Sequence, residues 1–400
     1  MQTLTTKRQG CQSLETRGTV ADQAITRKGV KYLEAPGPPT SLACLLAVTS
    51  GVTTASVNLT YERQRKPTML DVAEAAGVAL KTVSRVVNRE TGVSAETAKR
   101  VDSAIALLGY RHNTGASSLR RTGQATASIG LVLEDVGNPF SSALHRAIED
   151  VARERGYLLL AGSSDENPVL ERELVDIFCG RRVDGLIVVP AGDDHSYLLK
   201  EILGGTPVVL VDRSSAALPM VDTVLSDNLD GATIGTQHLL DHGHRKIVFL
   251  GDTLAIETAR ARLAGFQTAI KNFESAIETT VITELRTAGA AEHELEHVFQ
   301  RSDPPTAVFA SQNLVTIGAV RALRRLELQN RVALVGFDDV AMADLLVPGL
   351  SVVAQDPAAL GRCAADIVLR RVGGDTGAAE RVILRTTLIQ RGSGEIAPDS

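Results

Sequence analysis

At 400 residues the chain is too long for a single ordinary core, so we expect two or three folded units. The composition, with 44% hydrophobic and 22% charged residues, excludes a largely disordered chain, and four cysteines far apart in the sequence exclude a dense disulfide framework and fit a reducing cytoplasm. The formal net charge of the chain is −5, but the charge is unevenly distributed. Residues 61–124 carry 11 Lys and Arg against 6 Asp and Glu, whereas residues 125–400 carry 25 Lys and Arg against 38 Asp and Glu. A polyanionic partner such as a nucleic acid would therefore bind only the small basic segment.

Residues 1–65 show neither a sustained helical period nor a strand period. We expect a disordered arm or, as a second hypothesis, a stretch upstream of the true translation start, which would then lie near Val57. The apolar stretch 41–57 is interrupted by Thr, Ser and Gly, is too short to span a membrane and begins too late for a usual signal peptide. The sequence therefore predicts a cytoplasmic protein without a membrane partner.

Three short helices are predicted next. The first begins after Thr68, whose hydroxyl is expected to cap it together with Asp71. Gly77 suits the tight turn that follows, because a residue without a β-carbon adopts unusual backbone angles at no steric cost. A third helix is predicted between Ser94 and Gly109, after a middle helix over 80–88. This order is that of a helix-turn-helix domain.

The middle helix is amphipathic: it buries Val83 and leaves on its open face Leu80, Lys81, Ser84 and Arg85. In helix-turn-helix proteins the N-terminal residues of the second helix contact base edges in the major groove. Lys81 and Arg85 are thus candidates for guanine or phosphate contacts, and Leu80 is a candidate for a thymine methyl contact. Any pair of Ala-rich amphipathic helices shows a similar pattern, and the pattern alone leaves that alternative open.

From Ser128 onward, short apolar runs alternate with amphipathic stretches, as in IGLVL, YLLLA, GLIVV, PVVLV, KIVFLG, TAVFA and ALVGF. This alternation predicts parallel sheets with helices on both faces, and the number of runs predicts two sheets. Ligands of such sheets bind outside the carboxyl ends of the strands. The candidate ligand residues are therefore the polar residues that follow these runs, although each of them could instead be a helix cap or a turn residue. They include Asp135, Asn138, Asp165, Asp212, Arg213, Gln312, Asn313, Asp338 and Asp339.

Residues 66–120 closely resemble the DNA-binding headpiece of the lactose-repressor (LacI/GalR) family, through the runs DVAEAAGV, TVSRVVN, VSAETAKRV and LGY. The resemblance implies that 113–119 is a hinge helix, ordered on operator DNA, whose Leu119 inserts into the minor groove. Ala79 stands where the family usually has a Ser or Thr cap, and Gly115 weakens the hinge helix, so we expect both helices to depend on DNA for order. The implied DNA-binding residues are Thr68, Leu80, Lys81, Thr82, Ser84, Arg85, Asn88, Asn113, Ser117 and Leu119.

The later runs NPF, RRVDGLIVVP, SDNLDGA, ETARARLAGF and VGFDD resemble the effector-binding core of the same family. The resemblance implies an α/β domain of periplasmic-binding-protein type, with two subdomains and a small-molecule effector in the cleft between them. Gln312-Asn313 replaces the family's usual Asn-Asp, which suggests a different effector. The implied effector residues are Asn138, Phe140, Asp165, Asp212, Arg260, Gln312 and Asp338.

These features divide the chain into four predicted regions. They are an arm at 1–65, an all-α headpiece with its hinge at 66–123, a two-subdomain α/β domain for effector binding and dimerisation at 124–393, and a tail at 394–400. The tail carries no leucine heptad, so a homodimer is expected in preference to a tetramer.

Two groups of histidines could in principle form metal sites. His293, Glu294 and His297 match the zinc pattern H-E-x-x-H, but no third ligand follows, and a solvated charged helix is the favoured interpretation. A second group, His238, His242 and His244, lies around a predicted helix end, where histidine stabilises the helix dipole and is expected to act as a cap. We expect no metal.

The sequence contains no nucleotide-binding motif and no nucleophile motif, so we expect no cofactor and no enzymatic activity. The favoured function is a transcriptional repressor whose partners are operator DNA, a small-molecule effector and a second copy of the chain. The alternative is a small-molecule binding protein or an enzyme with a vestigial DNA-binding module.

Overall fold

The structure is a computed structural model that describes residues 26–27, 30–31, 67–88, 90–110 and 126–398. It divides into two compact units, one up to Arg111 and one from His112 onward. Within the predicted arm, two short antiparallel strands are described, β1 (Thr26–Arg27) and β2 (Val30–Lys31). The predicted hinge helix, 113–119, lies outside the described residues.

The described residues of the first unit form three helices, α1 (Met69–Ala76), α2 (Leu80–Val87) and α3 (Ala95–Leu108). Their contact centres on Val72, Val83 and Val101, which are fully buried. The three helices and their order confirm the prediction from the apolar spacing.

The ends of these helices follow the predicted caps. The Thr68 hydroxyl accepts a hydrogen bond from the Asp71 backbone N–H, and the Asp71 carboxylate accepts one from the Thr68 backbone N–H, which completes a capping box. Gly77 is left-handed, with φ of 61°, as the predicted turn requires. The Arg100 guanidinium on α3 donates to the carbonyl oxygens of Ala76 and Gly77, at 2.8 and 3.1 Å, and so fixes the turn against the third helix.

The described part of the second unit contains two sheets, as predicted, and each has six strands. The first sheet is parallel throughout and has the order β13-β7-β6-β5-β3-β4. Its strands are β3 (Ser128–Leu133), β4 (Leu158–Ser163), β5 (Gly185–Val188), β6 (Val208–Val211), β7 (Asp222–Ser226) and β13 (Arg381–Leu384). Its helices are α4 (Pro139–Glu154), α5 (Pro168–Gly180), α6 (Leu198–Leu203) and α11 (Pro357–Val372).

The second sheet has the order β14-β12-β11-β10-β8-β9 and is parallel except for β14, which is antiparallel to β12. Its strands are β8 (Lys246–Leu250), β9 (Glu278–Ile282), β10 (Ala307–Ala310), β11 (Ala333–Phe337), β12 (Ser351–Ala354) and β14 (Thr387–Ile389). Its helices are α7 (Asn228–Asp241), α8 (Glu257–Asn272), α9 (Ala288–Phe299) and α10 (Asn313–Arg325), with a 3-10 turn at Ala343–Leu345.

The chain passes between the two sheets three times, after β7, after β12 and after β13. Each sheet is therefore completed by a strand that lies far away in the sequence, and α11 returns to pack on the first sheet. Three separate connections make two subdomains that can change their mutual angle without either one unfolding.

The predicted tail, 394–400, packs against the second subdomain as far as it is described. Glu395 accepts a hydrogen bond from His238 Nε2 at 2.6 Å, and the Ile396 carbonyl oxygen lies 2.7 Å from His244 Nε2. His238 and His244 are buried and need these partners, whereas His242 is the C-cap of α7, as predicted.

Two glycines let pairs of helices in the second subdomain approach backbone to backbone. A β-carbon on Gly265 of α8 would lie 2.2 Å from the Leu229 carbonyl oxygen of α7. A β-carbon on Gly318 of α10 would lie 2.3 Å from the Ala288 carbonyl oxygen of α9. Real β-carbons do not approach so closely, so any larger residue would force each pair of helices apart.

We therefore expect Gly265→Ala to lower the free energy of unfolding by about 1–3 kcal/mol, because the added methyl group overpacks the contact between α7 and α8. The matched control is Gly289→Ala, near the exposed start of α9, where nothing lies within 4 Å of the added atom. That change should be neutral or stabilising by up to about 1 kcal/mol. Urea unfolding of the full chain measures both, and equal stability of the two variants would contradict the close approach.

Candidate recognition helix and ligand cleft

The first candidate site is α2. Leu80, Lys81 and Asn88 are exposed, while Thr82, Ser84 and Arg85 are partly buried beside the fully buried Val83. Neither Lys81 nor Arg85 forms an ion pair with a described residue, so both cations remain available. Six of the predicted DNA-binding residues therefore lie on α2 or directly after it. Thr68 instead caps α1, and Asn113, Ser117 and Leu119 lie outside the described residues.

The start of α2 differs from that of its neighbours, because Ala79 caps it without a side-chain hydrogen bond. The amide groups of Thr82 and Val83 donate to the Ala79 carbonyl oxygen, at 2.8 and 3.3 Å. The N-cap backbone geometry is present, with φ of −68° and ψ of 147°, but the hydroxyl that would accept a further amide is missing. The first turn of α2 is consequently less secured than that of α1 or α3.

The second candidate site is a cleft between the two subdomains, at the carboxyl ends of the strands, with a volume of about 520 Å³ including its opening. This position is typical of small-molecule sites in α/β proteins. From the first subdomain it is lined by Glu134, Asn138, Phe140, Glu166, Asp212 and Arg213. From the second it is lined by Asp252, Ile256, Thr258, Ala259, Arg262, Ser311, Gln312, Asn313, Asp338 and Gln355.

Five predicted effector residues line this cleft, namely Asn138, Phe140, Asp212, Gln312 and Asp338. Two predicted residues do not. Asp165 is exposed in a turn where its own φ is 51°, and its neighbour Glu166 faces the cleft instead.

Arg260, the other exception, lies at the rim. Its guanidinium donates to the carbonyl oxygens of Leu254 and Ala255 and lies 3.3 Å from Asp193 of the first subdomain. The side chain is 45% exposed. Arg260 thus connects the two subdomains at the surface and does not line the cleft, so its predicted position is corrected.

The arginine inside the cleft is Arg262, two residues further along α8. Two residues correspond to about 200° around a helix, so their side chains point to nearly opposite sides. Arg262 Nε donates to Asn228 Oδ1 at 2.7 Å, and Nη1 donates to the Ser311 carbonyl oxygen at 2.8 Å and lies 3.8 Å from Asp338 Oδ2. Its guanidinium also lies 4.0 Å from the centre of the Phe337 ring. These contacts hold Arg262 rigidly in the cleft wall.

The sequence contained the signal for Arg262. Ala259, Arg262 and Phe266 are spaced by three and four residues, which places them on one helix face, and Phe266 is fully buried. Glu134 and Glu166 were missed for a different reason: each directly adjoins a residue that was singled out, Asp135 or Asp165. Glu134 and Asp135 directly follow β3, where neighbouring side chains face different sides, whereas Asp165 and Glu166 form a left-handed turn, with φ of 51° and 57°. In both pairs only the fold decides which neighbour faces the cleft.

Two amide side chains serve both as helix caps and as cleft residues. Asn138 Oδ1 accepts from the Phe140 amide at 3.0 Å and from Asn313 Nδ2, across the cleft, at 2.7 Å. Gln312 Oε1 accepts from the Leu314 amide at 2.8 Å, while Gln312 Nε2 donates to Asp252 at 3.2 Å. The pair Gln312-Asn313 therefore caps α10 and bridges the subdomains.

The charged groups of the cleft are unbalanced, with two arginines facing five carboxyl groups, Glu134, Glu166, Asp212, Asp252 and Asp338. Arg213 is paired with Glu166 through two hydrogen bonds of 2.7 and 2.6 Å. Burial, reinforced by the negative charge of Asp212, raises the pKa of Glu134 to about 7. Burial also raises the pKa of Asp212 and that of Asp252.

The candidate zinc pattern lies on α9, where the centres of the His293 and His297 rings are 4.2 Å apart. Among the described residues, no group of three or more His, Cys, Asp or Glu side chains is arranged to hold a metal ion. In the same part of the chain, no helix combines the length and the apolar character that crossing a membrane requires.

Comparison with known proteins matches both modules. Residues 68–113 match the family of bacterial regulatory proteins, lacI family, and residues 236–394 match a periplasmic binding protein-like domain. The ribose operon repressor of Escherichia coli (strain K12) is 32% identical over 336 residues, which cover 82% of this chain and 99% of that protein. The transcriptional regulator DegA of Bacillus subtilis (strain 168) is 29% identical, over 82% of this chain and 98% of that protein.

Solved structures give the same result. The lac repressor dimer bound to operator and the anti-inducer ONPF matches 82% of this chain and 99% of its own, with a TM-score of 0.71 and 27% identity. The complex of the regulator CelR with cellobiose matches with a TM-score of 0.58 and 27% identity, over 82% of this chain and 99% of its own. The modules and the cleft define a transcriptional regulator with an effector-binding domain. The chain belongs to the lacI family of bacterial regulatory proteins.

The raised pKa of Glu134 predicts a specific dependence of stability on pH. Between its ordinary value of 4.5 and about 7, folded Glu134 keeps a proton that the unfolded chain has lost. The free energy of unfolding therefore falls as pH rises through this window. Glu134→Gln removes the titration, so relative to wild type the variant should gain about 2–3 kcal/mol between pH 5 and pH 8.

Urea unfolding of ligand-free protein at the two pH values measures this gain. Asp135→Asn is the control, because it neutralises an exposed carboxylate one residue away that does not line the cleft. The control should retain the wild-type dependence on pH. Identical pH dependence in wild type and Glu134→Gln would show that Glu134 is ionised in the folded protein throughout this range.

Proposed function

We propose that the chain is a repressor that binds pseudopalindromic operator DNA as a homodimer. Its affinity for the operator falls or rises when a small polar metabolite, such as a sugar, binds in the cleft. The observation that carries this proposal is the cleft itself: residues of both subdomains line it, and within 126–398 the chain joins the subdomains through three short connections. A ligand that touches both walls must bias the angle between them.

The recognition step is assigned to α2. Lys81 and Arg85 are unpaired with described residues and can donate to guanine edges or phosphates, while the 41% exposed Leu80 offers an apolar contact. One small module makes few contacts, so a second copy is needed for useful operator affinity. The expected hinge residues Asn113, Ser117 and Leu119 would add minor-groove contacts.

An apolar surface on the second subdomain favours the dimer. Met342, Leu345 and Val347 follow one another after β11 and are 68%, 71% and 76% exposed. Exposed apolar side chains that lie this close together in the chain are often part of a protein interface. A dimer formed here would connect the angle between the subdomains to the spacing of the two headpieces.

Direct contacts between the subdomains would transmit the effect of the ligand. Glu257 of the second subdomain accepts hydrogen bonds from the Ser214 amide at 2.6 Å and from the Ser214 hydroxyl at 2.8 Å. Arg260 pairs with Asp193, and Asn313 donates to Asn138. A ligand that strengthens or replaces these contacts stabilises one arrangement over the other.

The DNA-binding assignment predicts that Lys81→Ala/Arg85→Ala abolishes a mobility shift on the promoter of the chain's own gene at protein concentrations that saturate wild type. Binding that remains at higher protein concentration should show a slope of log affinity against log salt that is smaller by about 2, because fewer counterions are released. Lys99→Ala, which removes an exposed cation from α3, is the control and should leave most of the binding intact. Unchanged binding by the double variant would contradict the role of α2, and DNA binding that is absent or independent of salt in wild type would contradict the regulator.

The cleft assignment predicts the outcome of a thermal-shift screen against sugars, polyols and purines. A compound that stabilises wild type should fail to stabilise Arg262→Ala, because the guanidinium organises the cleft wall. It should still stabilise Arg260→Ala, because Arg260 lies at the rim. Asp338→Asn, which keeps the shape of a cleft residue, provides a second test should Arg262→Ala fold poorly. Loss of the shift only in Arg260→Ala would move the ligand site to the rim.

A further inference from the structure

Several buried polar atoms of the cleft have no hydrogen-bond partner among the described residues. They are Glu134 Oε2, Asp212 Oδ1, Gln355 Oε1, Arg213 Nε and Ser311 Oγ. Glu134 and Asp212 are each only 6% exposed. A buried polar atom without a partner is unfavourable, and its position in a cleft indicates where a ligand supplies the missing partner.

Most of these atoms are hydrogen-bond acceptors. Glu134 Oε2 and Asp212 Oδ1, when ionised, and Gln355 Oε1 can only accept hydrogen bonds, whereas Arg213 Nε can only donate. The complementary ligand therefore supplies mainly donors. Hydroxyl and ammonium groups are donors, but the oxygens of an ionised phosphate or carboxylate are acceptors and would meet Glu134 and Asp212 as like charges.

Most of the groups in the cleft that usually bind anions are already engaged. Arg213 is held by Glu166 and by the Pro190 carbonyl oxygen, and Arg262 by Asn228 and the Ser311 carbonyl oxygen. The amide groups at the cleft ends of two helices are also taken, since Asn138 caps α4 and Gln312 caps α10. A phosphate entering the cleft would find no free guanidinium pair. The one N-terminus of a described helix that lines the cleft without a side-chain cap is that of α8, and it carries the acidic Glu257 in its first turn.

We infer that the cleft binds a polyhydroxylated ligand without an anionic group, namely an unphosphorylated sugar, sugar alcohol or amino sugar, and that Glu134 and Asp212 reject its phosphate ester. This inference rests on the proposed effector function and narrows it. Donor hydroxyls of the ligand pair with the two carboxyl groups, Ser311 gives or accepts one hydrogen bond, and Arg213 Nε donates to a ring or hydroxyl oxygen.

The test is calorimetric titration of the full chain with matched pairs of compounds. Ribose, glucose, glucosamine and sorbitol are each compared with their own monophosphate ester at pH 8, where the carboxyl groups bear the most charge. In at least one pair the parent compound should bind about 100-fold or more tightly than the ester, since two like charges oppose only the ester.

Variants then assign the selectivity to the two carboxyl groups. Glu134→Gln and Asp212→Asn keep the size of the side chain and one acceptor oxygen but remove the charge. Each should reduce the ratio of the two dissociation constants by about 10-fold or more, and this ratio is insensitive to a fraction of unfolded protein. Asp135→Asn, the exposed neighbour outside the cleft, should leave the ratio unchanged.

The outcomes separate this inference from the proposed function. Tighter binding of an ester than of its parent, or a purine as the only ligand, overturns the polyol assignment and leaves a ligand-controlled regulator intact. A selectivity ratio that is unaffected by both variants overturns the role of Glu134 and Asp212. A chain that binds none of the compounds in either screen overturns both the inference and the effector function.

Discussion

The guanidinium group of Arg262 joins the parts of the second subdomain that form its wall of the cleft. It bonds to Asn228, at the first connection between the subdomains, and to the Ser311 carbonyl oxygen just beyond β10, and it lies beside Asp338 just beyond β11. A buried cation must be satisfied by such partners, because leaving it unpaired is strongly unfavourable. The wall is therefore fixed before any ligand arrives, and ligand binding acts on the angle between the walls.

The first subdomain contributes a different kind of surface. Its side of the cleft contains carboxyl groups whose burial is only partly compensated, and the pKa of Glu134 is raised as a result. An empty cleft of this kind is electrostatically strained, whereas a ligand with suitable donors relieves the strain. Affinity, selectivity against anions and the pH dependence of stability would then share one physical origin.

The cationic side chains of the recognition helix and those of the cleft differ in how firmly they are held. In the cleft the two arginines, Arg262 and Arg213, are each held by several partners. On α2 the cap is absent at Ala79, and Lys81 and Arg85 form no ion pair with a described residue. DNA can supply hydrogen-bond and charge partners to these side chains, so part of the order of α2 would come from bound DNA.

The sequence by itself determined the helix-turn-helix, the two parallel sheets and seven of the residues that line the cleft, because helical spacing, caps and apolar runs are local properties. These residues are Asn138, Phe140, Asp212, Arg213, Gln312, Asn313 and Asp338. The sequence did not determine that Arg262 lines the cleft and Arg260 the rim, nor that Glu134 and Glu166 face inward in place of Asp135 and Asp165. Strands such as β9 and β13, which are only partly buried, also gave no clear apolar signal. Only the tertiary structure decided these points, since the direction of a side chain relative to a cleft depends on how segments far apart in the chain pack against each other.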